Sequence, residues 1–216
     1  MSGRTSGLYG GIGADERRAL RRERLLEAAL ELVGAEGWQA TTVRAICANA
    51  RLTPRYFYES FADRDAVLLS LFDQIAGEGA SAVLAAVAST PGDARTKSRA
   101  AIGAFVGLMT DDPRKARVLF IEAIGSEAIA KRRAETLRLF AELVAGQARE
   151  FYGVPHEPDP LVEITALMLA GGLSEILLAW LDGTVKVTRE QLIEDCADLF
   201  EAVGQSAFDL VRRRAG

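Results

Sequence analysis

Apolar residues recur along this chain at helical spacing, and polar or Gly/Pro-rich clusters cut the pattern into about nine segments. In the first segment, residues 15–36, Leu26, Ala29, Leu30 and Val33 fall at i, i+3, i+4 and i+7 and form one stripe. Gly37 suits its C-terminal cap. Thr41 or Thr42 opens a second helix with Val43, Ile46 and Cys47 inward, and residues 49–52 break it. Thr53 then caps a short third helix with Pro54 at its first position, where a missing N–H costs nothing. After a break at 60–63 a long helix spans 64–88.

Residues 89–93, STPGD, predict a loop. Further helices are expected over 94–110, 114–124, 127–152, 161–181 and 189–213. The breaks fall at Thr110-Asp111-Asp112-Pro113, near Gly125-Ser126, at GVPHEPDP (153–160) and at Asp182-Gly183. No strand pattern and no internal repeat is visible. Ala, Leu, Glu and Arg dominate while β-branched residues are sparse, which agrees with an all-α chain. The predicted organisation is a flexible Gly/Ser-rich arm at 1–14, a three-helix helix-turn-helix domain at 15–70, and a larger helical domain at 71–216.

Charge narrows the chemistry. The formal net charge is −4, so any nucleic-acid role must rest on a local patch rather than on overall basicity. Residues 17–24, RRALRRER, carry five arginines against one glutamate. This cluster reads as a solvated helix face or as a phosphate-attracting face, with Arg4 in the arm a candidate for the minor groove. Cys47 and Cys196 lie far apart with no metal-spaced neighbour, and read as reduced buried thiols suited to a cytosol. The one membrane candidate, 161–181, is interrupted by Glu163 and Glu175. A charged side chain at a bilayer centre costs about 2.5–3.5 kcal/mol on insertion scales, so a buried or subunit-facing helix is the expectation, and a cytoplasmic protein with no membrane partner.

The unit at 42–60 is a helix, a tight turn and a second helix. Such a motif lays its second helix in the major groove of double-stranded DNA. Thr42 and the amides after it could receive a phosphate, and Arg44 a phosphate or a guanine edge. Thr53, Pro54, Arg55 and Tyr56 stand at the end that meets base edges. Arg55 suits a bidentate guanine contact and Pro54 a thymine methyl. Tyr58 and Arg64 would hold phosphates. Helical phase turns Phe57 and Phe61 inward as an i, i+4 pair and leaves Tyr56 outward.

These residues resemble the tetracycline-repressor-type (TetR) transcriptional regulators. RERLLEAALELVGAEGWQATTV looks like that family's opening helix. Leu52–Phe61, LTPRYFYESF, looks like its recognition-helix signature, with Tyr58 and Phe61 at the Tyr-x-x-Phe positions. Arg64 stands at the basic position that is usually lysine, and Leu68 at the leucine after it. The resemblance covers about residues 20–70. One residue departs from it: Arg51 occupies a turn that often holds glycine, where a left-handed backbone costs an L-residue about 1–2 kcal/mol.

The resemblance implies a homodimer formed through the last two helices and a C-terminal domain that binds a small effector. The sequence supports pairing separately. Leu192, Cys196, Leu199 and Val203 make one stripe on the final helix, and Ile193, Ala197, Phe200 and Ala207 another. Ala166, Ala170 and Ser174 form a ridge of small residues on the helix before it. An intrachain core is the alternative for both. Candidate pocket residues for an apolar or amphipathic effector are Phe105, Met109, Phe120, Ile124, Met168 and Trp180, each equally at home in a core.

The single histidine, His156, sits in the Pro-rich loop, where a solvated side chain is expected. No catalytic arrangement, phosphate-binding glycine loop, metal cluster or cofactor motif is visible. The expected function is a ligand-released repressor on a palindromic operator. An activator, or a helical ligand-binding or enzyme-like protein with a vestigial helix-turn-helix, remains open.

Overall fold

The computed structural model describes residues 13–122, 127–153 and 159–215. They form helices and connecting turns, with no strand among them. The chain divides between Ser70 and Leu71 into two compact units.

In the first unit, α1 (Ala14–Glu36) ends where Gly37 turns to φ 83° and its N–H bonds back to the Val33 carbonyl at 3.0 Å. The sequence stripe is its buried face: Leu25, Ala29 and Val33 are wholly inaccessible to solvent. α2 (Val43–Ala50) starts at Thr42, whose hydroxyl accepts from the Ala45 N–H at 3.1 Å. The inter-helix turn is made at Arg51, with φ 53° and ψ 43°. Among the described residues it alone is a non-glycine with positive φ. The tight turn therefore keeps its left-handed form despite the Cβ. α3 (Pro54–Tyr58) follows with proline at its first turn. Asp63 accepts from the Ala66 N–H at 2.8 Å at the start of α4 (Arg64–Ser89), within which the unit boundary falls.

In the second unit, Asp93 caps α5 (Ala94–Asp111) through the Thr96 N–H at 2.9 Å. The helix expected over 114–124 takes another form. A short α6 (Pro113–Ala116) runs into a π-helical turn at Arg117–Ile121. The widened turn sends three successive side chains, Val118, Leu119 and Phe120, into the interior. Then come α7 (Glu127–Tyr152), α8 (Pro160–Leu181) and α9 (Arg189–Ala215). α7 packs on α8, α9 on α5 and α8. Ala141 and Ala145 of α7, Val162 and Ala166 of α8 and Val211 of α9 form one core cluster. Its small side chains let these helices approach closely. Arg95 reaches Asp198 at 2.5 Å and Glu194 at 2.8 Å, and Arg99 pairs with Glu194, clasping α5 to α9.

Two expectations about the last helices change. Ala166, Leu192 and Cys196 belong to the chain's own interior, at 2%, 3% and 4% exposure. They are not free to meet another subunit. Of the two readings of α8, buried or subunit-facing, the first does not hold along its whole length, because Ile164, Leu167 and Met168 face solvent. By length and composition α4 and α8 are both apolar enough to cross a membrane.

Candidate nucleic-acid interface and effector cavities

The α2–α3 unit presents two unlike surfaces. Beneath, Ile46 and Phe57 are fully buried and Phe61 nearly so. The Phe57 and Phe61 rings lie 5.7 Å apart. This apolar anchor fixes the phase of α3, and so fixes what points outward. Thr53, Pro54, Arg55, Tyr56 and Tyr58 are all exposed. Thr53 makes no capping bond, which leaves its hydroxyl available. The Tyr58 ring meets Phe57 edge-on at 5.3 Å and keeps 61% of the residue exposed. Arg44 projects from the second position of α2 and is exposed. Thr42 is exposed too, with its oxygen already engaged in the cap.

Arg64 stands apart from this group. Its guanidinium lies over the Trp38 ring at 4.7 Å. Nη1 donates to the Thr41 carbonyl at 3.1 Å and the Trp38 carbonyl at 3.4 Å. It is half-buried, and its donors serve the turn that leads into α2.

Three arginines of the cluster have partners within the unit, while Arg17 and Arg18 stay on its exposed face. Arg24 donates to the Ala50 carbonyl at 2.7 Å, closing the C-terminal end of α2. Arg22 donates to Ser70 Oγ at 3.1 Å and lies 5.0 Å from the Phe61 ring. Arg21 sits over the Tyr56 ring at 4.5 Å and approaches Glu59 at 3.6 Å. Glu59 also accepts from Arg55 Nε at 3.3 Å. Arg24 thus ties α1 to α2, Arg22 ties it to α4 and Phe61, and Arg21 ties it to α3. Sequence reasoning missed that role, although the i, i+3 spacing of Arg21 and Arg24 placed them on one helix face. Arg4 and the arm lie outside the described residues.

Both thiols are buried, and burial pushes Cys47 and Cys196 up from the ordinary cysteine value, Asp195 adding to the latter. They are neutral packing groups. Among the described residues no cluster of histidine, cysteine or carboxylate side chains could hold a metal.

The second unit contains two apolar cavities, of about 350 and 560 Å³. Of the predicted pocket residues, Phe105 lines the larger one. Met109 and Phe120 are buried but line neither. Met168 is 55% exposed on the outer side of α8. Trp180 donates Nε1 to the Val187 carbonyl at 2.9 Å and pins the α8–α9 connector. Ile124 and His156 lie outside the described residues. The walls that sequence reasoning missed are Phe140 and Val144 of α7 and Phe200 of α9. The signal was present: Leu137, Phe140, Val144 and Ala148 form a helical stripe on α7. Of the proposed pairing ridge, Ala170 and Ser174 instead face the larger cavity.

Residues 25–71 match the family model of bacterial regulatory proteins of the tetR family. The chain carries the tetR-family domain. The matched segment begins just after the three clamping arginines and contains the whole exposed row from Thr42 to Tyr58. Solved structures share the fold beyond that domain. One from Pseudomonas aeruginosa PAO1 superposes with a TM-score of 0.71 at 21% identity, covering 88% of this chain and 93% of that one. The transcriptional regulator FadR from Bacillus subtilis, solved in complex with stearoyl-CoA, gives 0.69 at 19% identity, covering 82% and 96%. A TetR-like transcriptional regulator from Rhodococcus sp. RHA1 gives 0.61 at 18%, covering 87% and 94%. No curated protein matches the chain in sequence. Residues 25–71 thus match a tetR-family domain, and the helical second unit shares its fold with these solved structures.

Proposed function

We propose that this protein is a cytoplasmic homodimeric repressor, neither an enzyme nor a membrane protein, that binds a palindromic operator through residues 42–64. An apolar or amphipathic effector releases it. The observation that carries the reading is the row Thr53, Pro54, Arg55 and Tyr56, exposed above a buried Phe57. Arg55 reads a guanine edge, Pro54 packs on a thymine methyl, and Thr53 and Tyr56 meet neighbouring bases. Thr42, Arg44 and Tyr58 engage phosphates and set the register. Arg64 contributes its charge and, through Trp38 and Thr41, the position of the turn before α2.

Pairing is supported by the apolar side chains left in solvent on the last two helices. Ile164, Leu167 and Met168 of α8 and Leu199 and Leu210 of α9 are all 40% exposed or more. These replace Ala166, Leu192 and Cys196 as the proposed subunit contact, and half-buried Val203 borders them. A twofold dimer suits two half-sites about one helical turn apart. Release is a population shift: the effector favours dimers whose recognition helices no longer match successive major grooves.

The test is retention on random DNA at low salt, followed by a reporter for a selected operator with the gene present and deleted. Retention that falls as salt rises, with reporter output rising on deletion, is the expected result. No retention at any salt would leave the helix-turn-helix vestigial. Output that falls on deletion would make the protein an activator.

A further inference from the structure

The two cavities of the second unit share a wall. Ile102, Phe140, Val144 and Phe200 line both. Phe140, on that shared wall, meets Phe105 edge-on at 5.5 Å. Each cavity alone falls within the roughly 300–1,000 Å³ of small-molecule sites.

The two ends differ in charge. The cation of the larger cavity, Arg133, is neutralised by Glu175 at 2.6 Å. The cation of the smaller cavity, Lys97, is half-buried. Its side chain has no hydrogen-bond or ion-pair partner among the described residues. Glu150 stands on the same rim, exposed, and forms no ion pair with it. A partly desolvated ammonium beside apolar walls favours an anion from outside. Tyr152 offers a second donor there: burial, helped by the charge of Glu201, pushes its phenol up and keeps it protonated.

We propose that the two cavities form one site for a long-chain amphiphile. Its anionic head sits at Lys97, and its apolar tail runs past Phe140 into the larger cavity. The proposal deepens the effector reading above and rests on it for its regulatory meaning only. An extended tail suits two chambers that share a wall, and each buried methylene raises affinity about fourfold. A cationic head is opposed by Lys97, and a neutral one leaves that charge without a counter-ion.

Calorimetric titration of the full chain tests this. The probes are dodecanoate and dodecanoyl coenzyme A as two sources of an anionic head, with methyl dodecanoate and dodecylammonium as neutral and cationic counterparts. At least one anionic probe should bind ten-fold or more tighter than the ester and the amine. Lys97→Met should remove that preference and Lys97→Arg should keep it. Ala170→Phe, which fills only the larger cavity, should weaken dodecanoate ten-fold and leave hexanoate unchanged. Equal affinity for acid, thioester and ester, a preference that survives Lys97→Met, or equal losses for hexanoate and dodecanoate would each overturn the proposal. Retention on random DNA, measured on the same samples, separates the two readings. Amphiphile binding without DNA retention defeats the regulator and leaves this site standing, and the reverse result overturns this site alone.

Discussion

Arg55 Nε and Glu59 Oε1 lie 3.3 Å apart, one turn along the outer face of the recognition helix. Arg55 is otherwise 85% exposed, so this contact is what orients it before DNA arrives. Glu59 is held in turn by Arg21, itself stacked on Tyr56. The arginine proposed to read a base is therefore aimed by the first helix.

Arg55→Ala should weaken specific binding by about 1–3 kcal/mol and relax preference at one base step. Glu59→Gln removes a negative charge facing DNA, and should raise affinity for all sequences while blurring that same step. Salt-controlled titrations on matched and mismatched duplexes check both. Unchanged affinity and preference in Arg55→Ala would sink the assignment.

Arg51 holds a left-handed backbone that costs an L-residue about 1–2 kcal/mol. Arg51→Gly should stabilise the first unit by about 1 kcal/mol, and Arg51→Val should destabilise it. Urea unfolding compares the two, and a stability loss in Arg51→Gly contradicts the strain.

Glu194 is held below the ordinary glutamate value by hydrogen bonds from Arg99 and Arg95. A carboxyl depressed in the folded state stabilises above its unfolded value of about 4.3, and loses that contribution as pH falls through the folded value. Glu194→Gln should therefore lower the melting temperature at neutral pH and match wild type in acid. A deficit constant across that range would assign the loss to packing instead.

Gly79 leaves room for Phe105, since a Cβ there would come within 2.7 Å of the ring. Gly146, in α7, has nothing within 4 Å of such a Cβ. Gly146→Ala should gain about 1 kcal/mol of stability from helix propensity. Gly79→Ala should fall below it by about 1–3 kcal/mol through overpacking. Equal shifts in urea midpoint would contradict the contact.

The recognition helix was legible because it is amphipathic. With Phe57 and Phe61 inward, Tyr56 and Arg55 had one direction left. Caps were legible for the same local reason, as at Thr42 and Asp93. Arg64 was not, because its partner is the ring of Trp38, far away in sequence. Helix α8 misled because it is apolar nearly all round. Without a polar face its phase is undetermined, so Ala166 could be placed outward and Met168 inward when the reverse holds. The pocket failed similarly, since an apolar residue lining a cavity and one filling a core carry the same sequence signal.

Selection of bound fragments from a random DNA pool shows whether residues 42–64 read a palindromic operator. One enriched palindrome is expected, its half-sites about one helical turn apart, with the dominant guanine preference lost in Arg55→Ala. Enrichment of no motif, or of a single unpaired half-site, would contradict it.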